Sequence, residues 1–264
     1  MSAKGIKTER KFGMTPAGMR YAVVLVILVL WELAPRMGWT APSMLATLSS
    51  TLMVGFGDLA NFGHHLAVTI AEMLIALLIA FVGGAVGGVM LGSIRQLRDT
   101  LLPLVSSLYA VPLVILYPLF TAWVGIGAES KILFGGIYGF FPMLLATAAG
   151  MQTVDGNLVL VARSMGATRK QQIVEVMLPA AIPSVLSGLR IGAAMTAIGV
   201  VVAEMMAATA GIGFLITQNR TMFNTPEVYF GVLLVIVLAG LIDWAIRVVE
   251  RKAANWYPQK ATFQ

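Results

Sequence analysis

The residues that could do chemistry in this sequence are few, and most are ionisable side chains set among apolar residues. Glu204 lies in a long apolar run, Glu72 lies in an earlier one, and the adjacent His64 and His65 stand at the start of that earlier run. An ionisable side chain in such surroundings faces a protein interior or an aqueous cavity. The sequence has no cysteine, and it shows no clustered Ser/His or Asp/Asp pattern and no phosphate-binding Gly-rich loop. It therefore predicts a non-catalytic chain with no metal site and no cofactor of its own.

The composition indicates which solvent surrounds the protein. Of the 264 residues, 58% are hydrophobic and only 11% are charged, and the mean hydropathy is +0.87. Soluble domains carry about 25% charged residues. So little polar surface cannot cover a water-facing globule, and the sequence predicts an all-α integral membrane protein.

Apolar stretches long enough to cross a bilayer of about 30 Å recur along the chain. We predict about six transmembrane helices, which run roughly over Ala17–Ala34, Leu66–Gly92, Leu101–Val124, Ile132–Gly150, Ile191–Ala208 and Val228–Val249. The first stretch could be a signal peptide, but no small-x-small cleavage site follows it, which favours an uncleaved span. The third contains Pro103, Pro112 and Pro118 and is predicted to be kinked or partly unwound.

The basic residues predict the orientation. With the N-terminus inside, all but three of the 18 Lys and Arg residues fall in cytoplasmic segments, the exceptions being Arg36, Lys131 and Arg220. We therefore predict both termini in the cytoplasm, with a basic tail over residues 1–16, a membrane domain over 17–250 and a second tail over 251–264. The positive net charge is then a topology signal, and no nucleic-acid partner is needed to explain it.

Glycines predict how the helices pack. Gly84, Gly88 and Gly92 recur every four residues in the second span, with Gly83 and Gly87 on the neighbouring ridge. Lipid tails are as apolar as leucine, so membrane helices associate by close approach of their backbones at small residues. We expect this stripe, and the glycines at 135, 136 and 139 in the fourth span, to be packing surfaces.

One cytoplasmic loop, from about Met151 to Leu189, has helical periodicity. Leu158, Val161 and Ala162 would form one apolar face, and Gly166 would break that helix. A second helix would follow, with Thr168 as its N-cap. Its apolar face is predicted at Ile173, Val176 and Met177, and its end at Pro179 and Pro183. Such a helix–Gly–helix hairpin would suit binding by a soluble partner.

The spacing of this loop resembles the EAA loop of ABC importer permeases. That loop reads Glu-Ala-Ala, three residues, Gly, nine residues and Ile-x-Leu-Pro. Here the stretch from Leu160 to Gly166 is followed at the same distance by Val176-Met177-Leu178-Pro179. Leu160 replaces the usual Glu, Val161 the first Ala and Val176 the Ile. Most of the chain after the first span resembles the nitrate, sulfonate and taurine permeases, on the segments at 112–113, 118–120, 123–127, 130–132, 140–142, 154–155, 188–190, 203–205 and 211–214.

The resemblance implies a division of labour. Two copies of the permease would form the pathway in a bacterial inner membrane, a cytoplasmic ATPase dimer would bind ATP and magnesium, and an external binding protein would deliver the substrate. The residues implied to couple to the ATPase are Leu160, Val161, Ala162, Arg163, Ser164, Met165, Gly166, Ala167, Thr168, Leu178 and Pro179.

The translocation pathway is predicted from residues at membrane depth. Irregular backbone there needs protein or a water-filled cavity around it. On that ground the candidates are Tyr109, Pro112, Tyr117, Pro118, Glu204 and Met205. Two alternatives stay open: a merely kinked structural helix, and a structural polar contact for Glu204.

The remaining charged residues have simpler predicted roles. A structural or interfacial role is expected for Glu72, and an ion pair for Asp243 and Arg247, four apart on one helix. Solvated or helix-end positions at the outer interface are expected for Glu129 and Lys131. The two histidines, at 64 and 65, are expected at the interface.

Two other classes of protein compete with the importer. An ion-coupled secondary transporter could use Glu204, but the two halves of the chain show no internal repeat. An intramembrane enzyme would need a clustered constellation that is not visible. The substrate is left open between small anions, such as sulfonates, taurine, nitrate or bicarbonate, and pyrimidine or other aromatic compounds.

Overall fold

The computed structural model describes residues 15–41 and 43–254, and within that part the chain is helical with no strand. The predicted tails fall largely outside the described residues. Residues 113–116 form a short 3₁₀ turn and 172–177 a π-helical turn. The α-helices in chain order are α1 (Pro16–Arg36), α2 (Leu48–Gly57), α3 (Leu59–Ser93), α4 (Arg95–Tyr109), α5 (Tyr117–Val124), α6 (Ala128–Gln152), α7 (Gly156–Ser164), α8 (Arg169–Gln171), α9 (Leu178–Met206), α10 (Ile212–Thr221) and α11 (Thr225–Ala254).

The prediction of about six membrane spans is confirmed. Among the described residues, five helices are long and apolar enough to cross a bilayer, and a bent pair supplies a sixth crossing if it is one span. This pair is the proline-containing third stretch: α4 and the segment from Leu113 to Val124 meet at an angle of 82°. Pro112 stands at the bend, whereas Pro103 lies inside α4 without breaking it.

The bundle is organised around α6, which packs against α3 on one side and α9 on the other. The predicted glycine stripe faces α6. A Cβ atom on Gly84 would lie 2.7 Å from the Met143 Cβ atom, and one on Gly88 would lie 2.6 Å from the Leu144 carbonyl oxygen. Any side chain at these positions would push the helices apart, so glycine sets the distance between α3 and α6.

The prediction that Pro179 and Pro183 end the second loop helix is wrong. From Arg169 to Met206 the chain forms one continuous helical rod, which includes α8, the π turn and α9. Pro179 lies in the first turn of α9, directly after the π turn. A proline clashes with the carbonyl four residues earlier in a regular helix. For Pro179 that residue is Glu175, which lies in the wider π turn, and π turns shift carbonyls away from the regular pattern.

Candidate functional site

The loop after α6 folds into a hairpin, defined here as residues 156–177. Its first arm is α7, which begins where the Asp155 carboxylate accepts a hydrogen bond of 2.9 Å from the Asn157 amide. Its second arm is α8 with the π turn, and α7 packs against that turn. The predicted helix–Gly–helix form is thus present, although the second arm continues into the membrane helix.

Gly166 makes the turn between the two arms. Its φ is +86°, a left-handed conformation that costs an L-residue about 1–2 kcal/mol. A Cβ atom there would meet nothing within 4 Å, so backbone conformation rather than space requires the glycine. Thr168 then starts the second arm with a full capping box, in which Thr168 and Gln171 each bond the other's backbone. The predicted N-cap is confirmed.

The buried side-chain amide of Gln172 stabilises the turn. The side-chain nitrogen of Gln172 donates to the Ala167 carbonyl oxygen at 2.8 Å, and Gln172 is buried. Sequence reasoning missed this residue, because a glutamine beside charged residues reads as part of a solvated face.

Apolar side chains cover the outside of the hairpin. Leu160 is 61% exposed and Met165 at the tip is 83% exposed, and Leu158 and Val161 are also exposed. Four exposed apolar residues on one short, capped hairpin form a patch typical of protein contact surfaces. The structure thus brings the predicted residues 160–168 together. Leu178 and Pro179, by contrast, lie about 15 Å along the rod from Thr168 at 1.5 Å per residue.

The bent span places its predicted pathway residues in different surroundings. The Tyr109 ring stacks on Phe141 at a centroid distance of 6.0 Å. Tyr117 is buried, and its hydroxyl donates to the Ala207 carbonyl oxygen at 3.1 Å, which fastens α5 to the end of α9. Pro112 and Pro118 are exposed in the single chain.

A buried polar cluster joins α3, α6 and the α9–α10 connection. Glu204 is 1% exposed. It accepts hydrogen bonds from the Thr69 hydroxyl at 2.7 Å and from the Gly213 amide at 2.8 Å. The carboxylate therefore caps the N-terminus of α10 from inside the protein, where a negative group is favoured. Met205 beside it is half-buried among apolar side chains.

Lys131 is the second anchor of this cluster; it lies in the first turn of α6, as the helix-end alternative predicted, but the solvated alternative is wrong. It is 3% exposed, its ammonium lies 2.5 Å from the Glu72 carboxylate, and it donates to the Ala210 carbonyl oxygen at 3.1 Å. A buried charge needs such a partner. The structural role predicted for Glu72 is confirmed by this pair.

The α9–α10 connection is tied to α3 by two further bonds. The Gly211 amide donates to Nδ1 of His65 at 3.0 Å, and the Ile212 amide donates to the Thr69 hydroxyl at 2.8 Å. Gly211 has a φ of +116°, and a Cβ atom there would lie 2.1 Å from Glu204 Oε1. Thr69, Gly211 and Gly213 therefore act with Glu204, and a sequence read span by span does not reveal that they meet.

The predicted Asp243–Arg247 ion pair is confirmed, with an N–O distance of 2.5 Å. It is part of a larger network, because Arg190 of α9 bonds Asp243 at 3.1 Å and lies 3.6 Å from Glu250. These ionic contacts connect the middle of α9 to the second half of α11.

Comparison with known proteins places this geometry in a class of transport proteins. Residues 80–255 match the family model described as the binding-protein-dependent transport system inner membrane component. The chain is 32% identical to the putative aliphatic sulfonates transport permease protein SsuC of Bacillus subtilis (strain 168), over 88% of this chain and 84% of that one. It is 33% identical to the taurine transport system permease protein TauC of Escherichia coli (strain K12), over 77% of this chain and 74% of the relative.

A solved structure shows the same fold. An inward-facing form of the MetNI methionine ABC transporter contains a chain that superposes with a TM-score of 0.67 at 21% identity, covering 74% of this chain and 97% of that one. The fold and the relatives define an ABC transporter permease of the inner membrane. This chain belongs to the binding-protein-dependent transport family, in the group that includes sulfonate and taurine permeases.

Proposed function

We propose that this chain is the membrane-spanning permease subunit of an ATP-driven importer that receives its substrate from an external binding protein. Two copies would form the pathway, and a cytoplasmic ATPase dimer would bind ATP and magnesium and drive the cycle. The chain itself would supply no catalytic residue and no cofactor site. Both termini and the hairpin would face the cytoplasm, as the positions of the basic residues predict.

The hairpin carries this proposal. It is rigid, because both arms are capped and its turn is braced by Gln172. It nevertheless leaves Leu160 and Met165 exposed. A segment that needs no partner would cover such residues or replace them with polar ones. Movement of a bound ATPase would be transmitted through the rod from Arg169 to Met206, which leads directly to the buried cluster.

The pathway would lie along the bent span. We propose Tyr109, Pro112 and Pro118 as lining or gate residues, since irregular backbone at membrane depth requires protein or water around it. Glu204 and Tyr117 would act as anchors beside it, because both are buried within one chain. For the substrate we propose a small sulfonate-type anion, supported by the names of the two relatives, with a pyrimidine or aromatic compound as the class to compare in the test.

The test is uptake and ATP hydrolysis in proteoliposomes. The chain would be purified with the ATPase that accompanies it from native membranes and reconstituted with its binding protein, beside a Gly166→Asp variant. We expect that variant to lose ATPase binding and substrate-stimulated hydrolysis, because the turn at φ +86° can no longer form without strain. Gly63→Asp is the matched control, since a Cβ atom at Gly63 meets nothing within 4 Å.

Two outcomes would decide against the importer. If no ATPase accompanies the wild-type chain and uptake follows an ion gradient, the chain is a secondary transporter and Glu204 becomes its candidate ion site. If Gly166→Asp transports as well as wild type, the hairpin is not the coupling element. A separate assay addresses the substrate. Aliphatic sulfonates, nitrate and pyrimidines would each be tested as competitors of labelled taurine uptake by the wild-type chain, and the strength of competition would rank the substrate classes.

A further inference from the structure

A cleft of about 500 Å³ opens between the two arms of the hairpin. Its lining residues are mostly small or apolar, with two arginines and one amide: Gly156, Val159, Leu160, Arg163, Ala167, Arg169 and Gln172. The Gln172 amide nitrogen is already bonded to the Ala167 carbonyl oxygen. The cleft is therefore a small positive pocket beside the exposed Leu160.

Neither arginine of the cleft is neutralised by the chain itself. Among the described residues, Arg163 and Arg169 form no ion pair. Two acidic residues lie next to the hairpin or in it: Asp155 caps α7, and among the described ion pairs Glu175 is joined to neither arginine.

Several arginines elsewhere in the described part of the chain are paired, whereas Arg20, Arg220 and Arg251 are not. Arg95 and Arg98 both pair with Asp99, and Arg190 and Arg247 both pair with Asp243. Two arginines that share one cleft without a counter-ion repel each other, and a shared anion would relieve that repulsion.

We propose that this cleft receives a carboxylate side chain, Asp or Glu, that projects from the docking groove of the ATPase. The inference rests on the proposed function and adds the chemistry of the partner. Guanidinium groups bind carboxylates through paired, directional hydrogen bonds. Leu160 in the lining of the cleft and Met165 at the tip of the hairpin are both exposed, so apolar surface around that acid would suit them. Leu160 stands where the EAA loop usually has Glu, and the charged groups of the cleft are both arginines, so the anion would come from the ATPase.

The length of the rod favours a protein partner over lipid headgroups. The helix from Arg169 to Met206 is about 57 Å long at 1.5 Å per residue, against about 30 Å for the hydrocarbon core. After Lys170, the next basic residue along it is Arg190, which lies about 30 Å beyond Arg169 and pairs with Asp243 of α11. Because the rod is longer than the hydrocarbon core is thick, the cleft at its Arg169 end lies away from the bilayer surface.

The experiment measures binding of the ATPase to the chain in nanodiscs of neutral phosphatidylcholine. The ATPase used is the subunit that co-purifies with the wild-type chain. The double variant Arg163→Gln/Arg169→Gln should bind it about 30-fold more weakly, as when one partner of a buried charge pair is lost. The wild-type Kd should rise with added KCl and the variant's should not. Arg95→Gln, which removes an exposed arginine outside the cleft, is the control and should bind like wild type.

Three other binding results would contradict the proposal. If the wild-type chain binds ATPase tightly and the double variant binds equally well, the carboxylate proposal fails while the importer stands. If the difference appears only in nanodiscs containing phosphatidylglycerol, the cleft binds lipid headgroups instead. If the wild-type chain binds no ATPase at all, the proposed function itself fails. A rescue completes the test: Arg169→Glu should regain binding to an ATPase whose groove acid is changed to Lys.

Discussion

The buried cluster and the hairpin treat polar and apolar groups in opposite ways. In the cluster, charges lie inside the protein, and Lys131 and Glu204 find their partners within the same chain. In the hairpin, apolar side chains lie outside, and Leu160 and Met165 find no cover in the single chain. The charged groups of the first region are paired within one chain, although Glu72 Oε2 is buried without a partner in the described part of the chain, whereas the second region is a surface suited to contact.

Substitutions in the two regions should therefore have different effects. Removing a partner from the cluster leaves a charge or a polar group buried without compensation, so the fold should suffer. Removing an exposed side chain from the hairpin costs the fold little, so the loss should appear in binding. The two regions stand at opposite ends of the rod from Arg169 to Met206, which makes them directly comparable in one molecule.

The largest expected effect is that of Lys131→Met. It leaves the Glu72 carboxylate buried without its cation, and we expect a loss of about 3–5 kcal/mol in the free energy of unfolding. Unfolding in detergent by denaturant, followed by tryptophan fluorescence, measures it. The double variant Glu72→Gln/Lys131→Met should recover most of the loss. Wild-type stability of the single variant would mean that the cluster is not closed on itself.

Gly88→Val tests the bundle that connects the two regions. A Cβ atom at Gly88 would lie 2.6 Å from the Leu144 carbonyl oxygen, so α3 and α6 must separate. Overpacking of this kind lowers the free energy of unfolding by about 1–3 kcal/mol. The same denaturant assay would show this as a lower denaturant concentration at the midpoint of unfolding. The control is Gly63→Val on the same helix, where no atom lies within 4 Å. Equal losses in both variants would show that helix propensity, not packing, is responsible.

Thr168→Ala should loosen the hairpin without unfolding the bundle. Loss of an N-cap costs about 1 kcal/mol, which corresponds to about fivefold faster amide exchange at residues 169–172. Hydrogen exchange with mass spectrometry measures it, and Thr168→Ser keeps the capping hydroxyl as a control. Exchange spreading into α9 would contradict a local effect and would tie the hairpin to the stability of the rod.

The smallest effect on stability is expected for Met165→Ser. Met165 is 83% exposed, so the free energy of unfolding should stay within about 0.5 kcal/mol of wild type. Binding of the ATPase should nevertheless weaken, because the partner loses an apolar contact. Met53→Ser, at a methionine that is 77% exposed on α2, should change neither quantity. If Met165→Ser lowered the free energy of unfolding and left ATPase binding unchanged, the hairpin would serve stability, not contact with a partner.

Much of the fold could be predicted from local patterns. The spans follow from length and hydropathy, and the turn at Gly166 and the cap at Thr168 follow from residue types at fixed spacing. The predicted helix end at Pro179 was wrong because the residues before it form a π turn. Pro179 ordinarily marks a helix end, yet the π turn before it removes the clash, and that turn is not visible in the residue types. The side of the membrane on which the hairpin lies stays a prediction from the basic residues.

Apolar runs, caps and turns depend on residues a few positions apart, so the residue order alone predicts a helical membrane protein with a capped hairpin. The partners of the buried charges depend instead on how distant segments pack. Lys131 meets Glu72 across two helices, and Glu204 meets Thr69 at a separation of 135 residues. A span read alone shows that an ionisable group needs a partner, but the packing of α3, α6 and α9 selects which partner it receives.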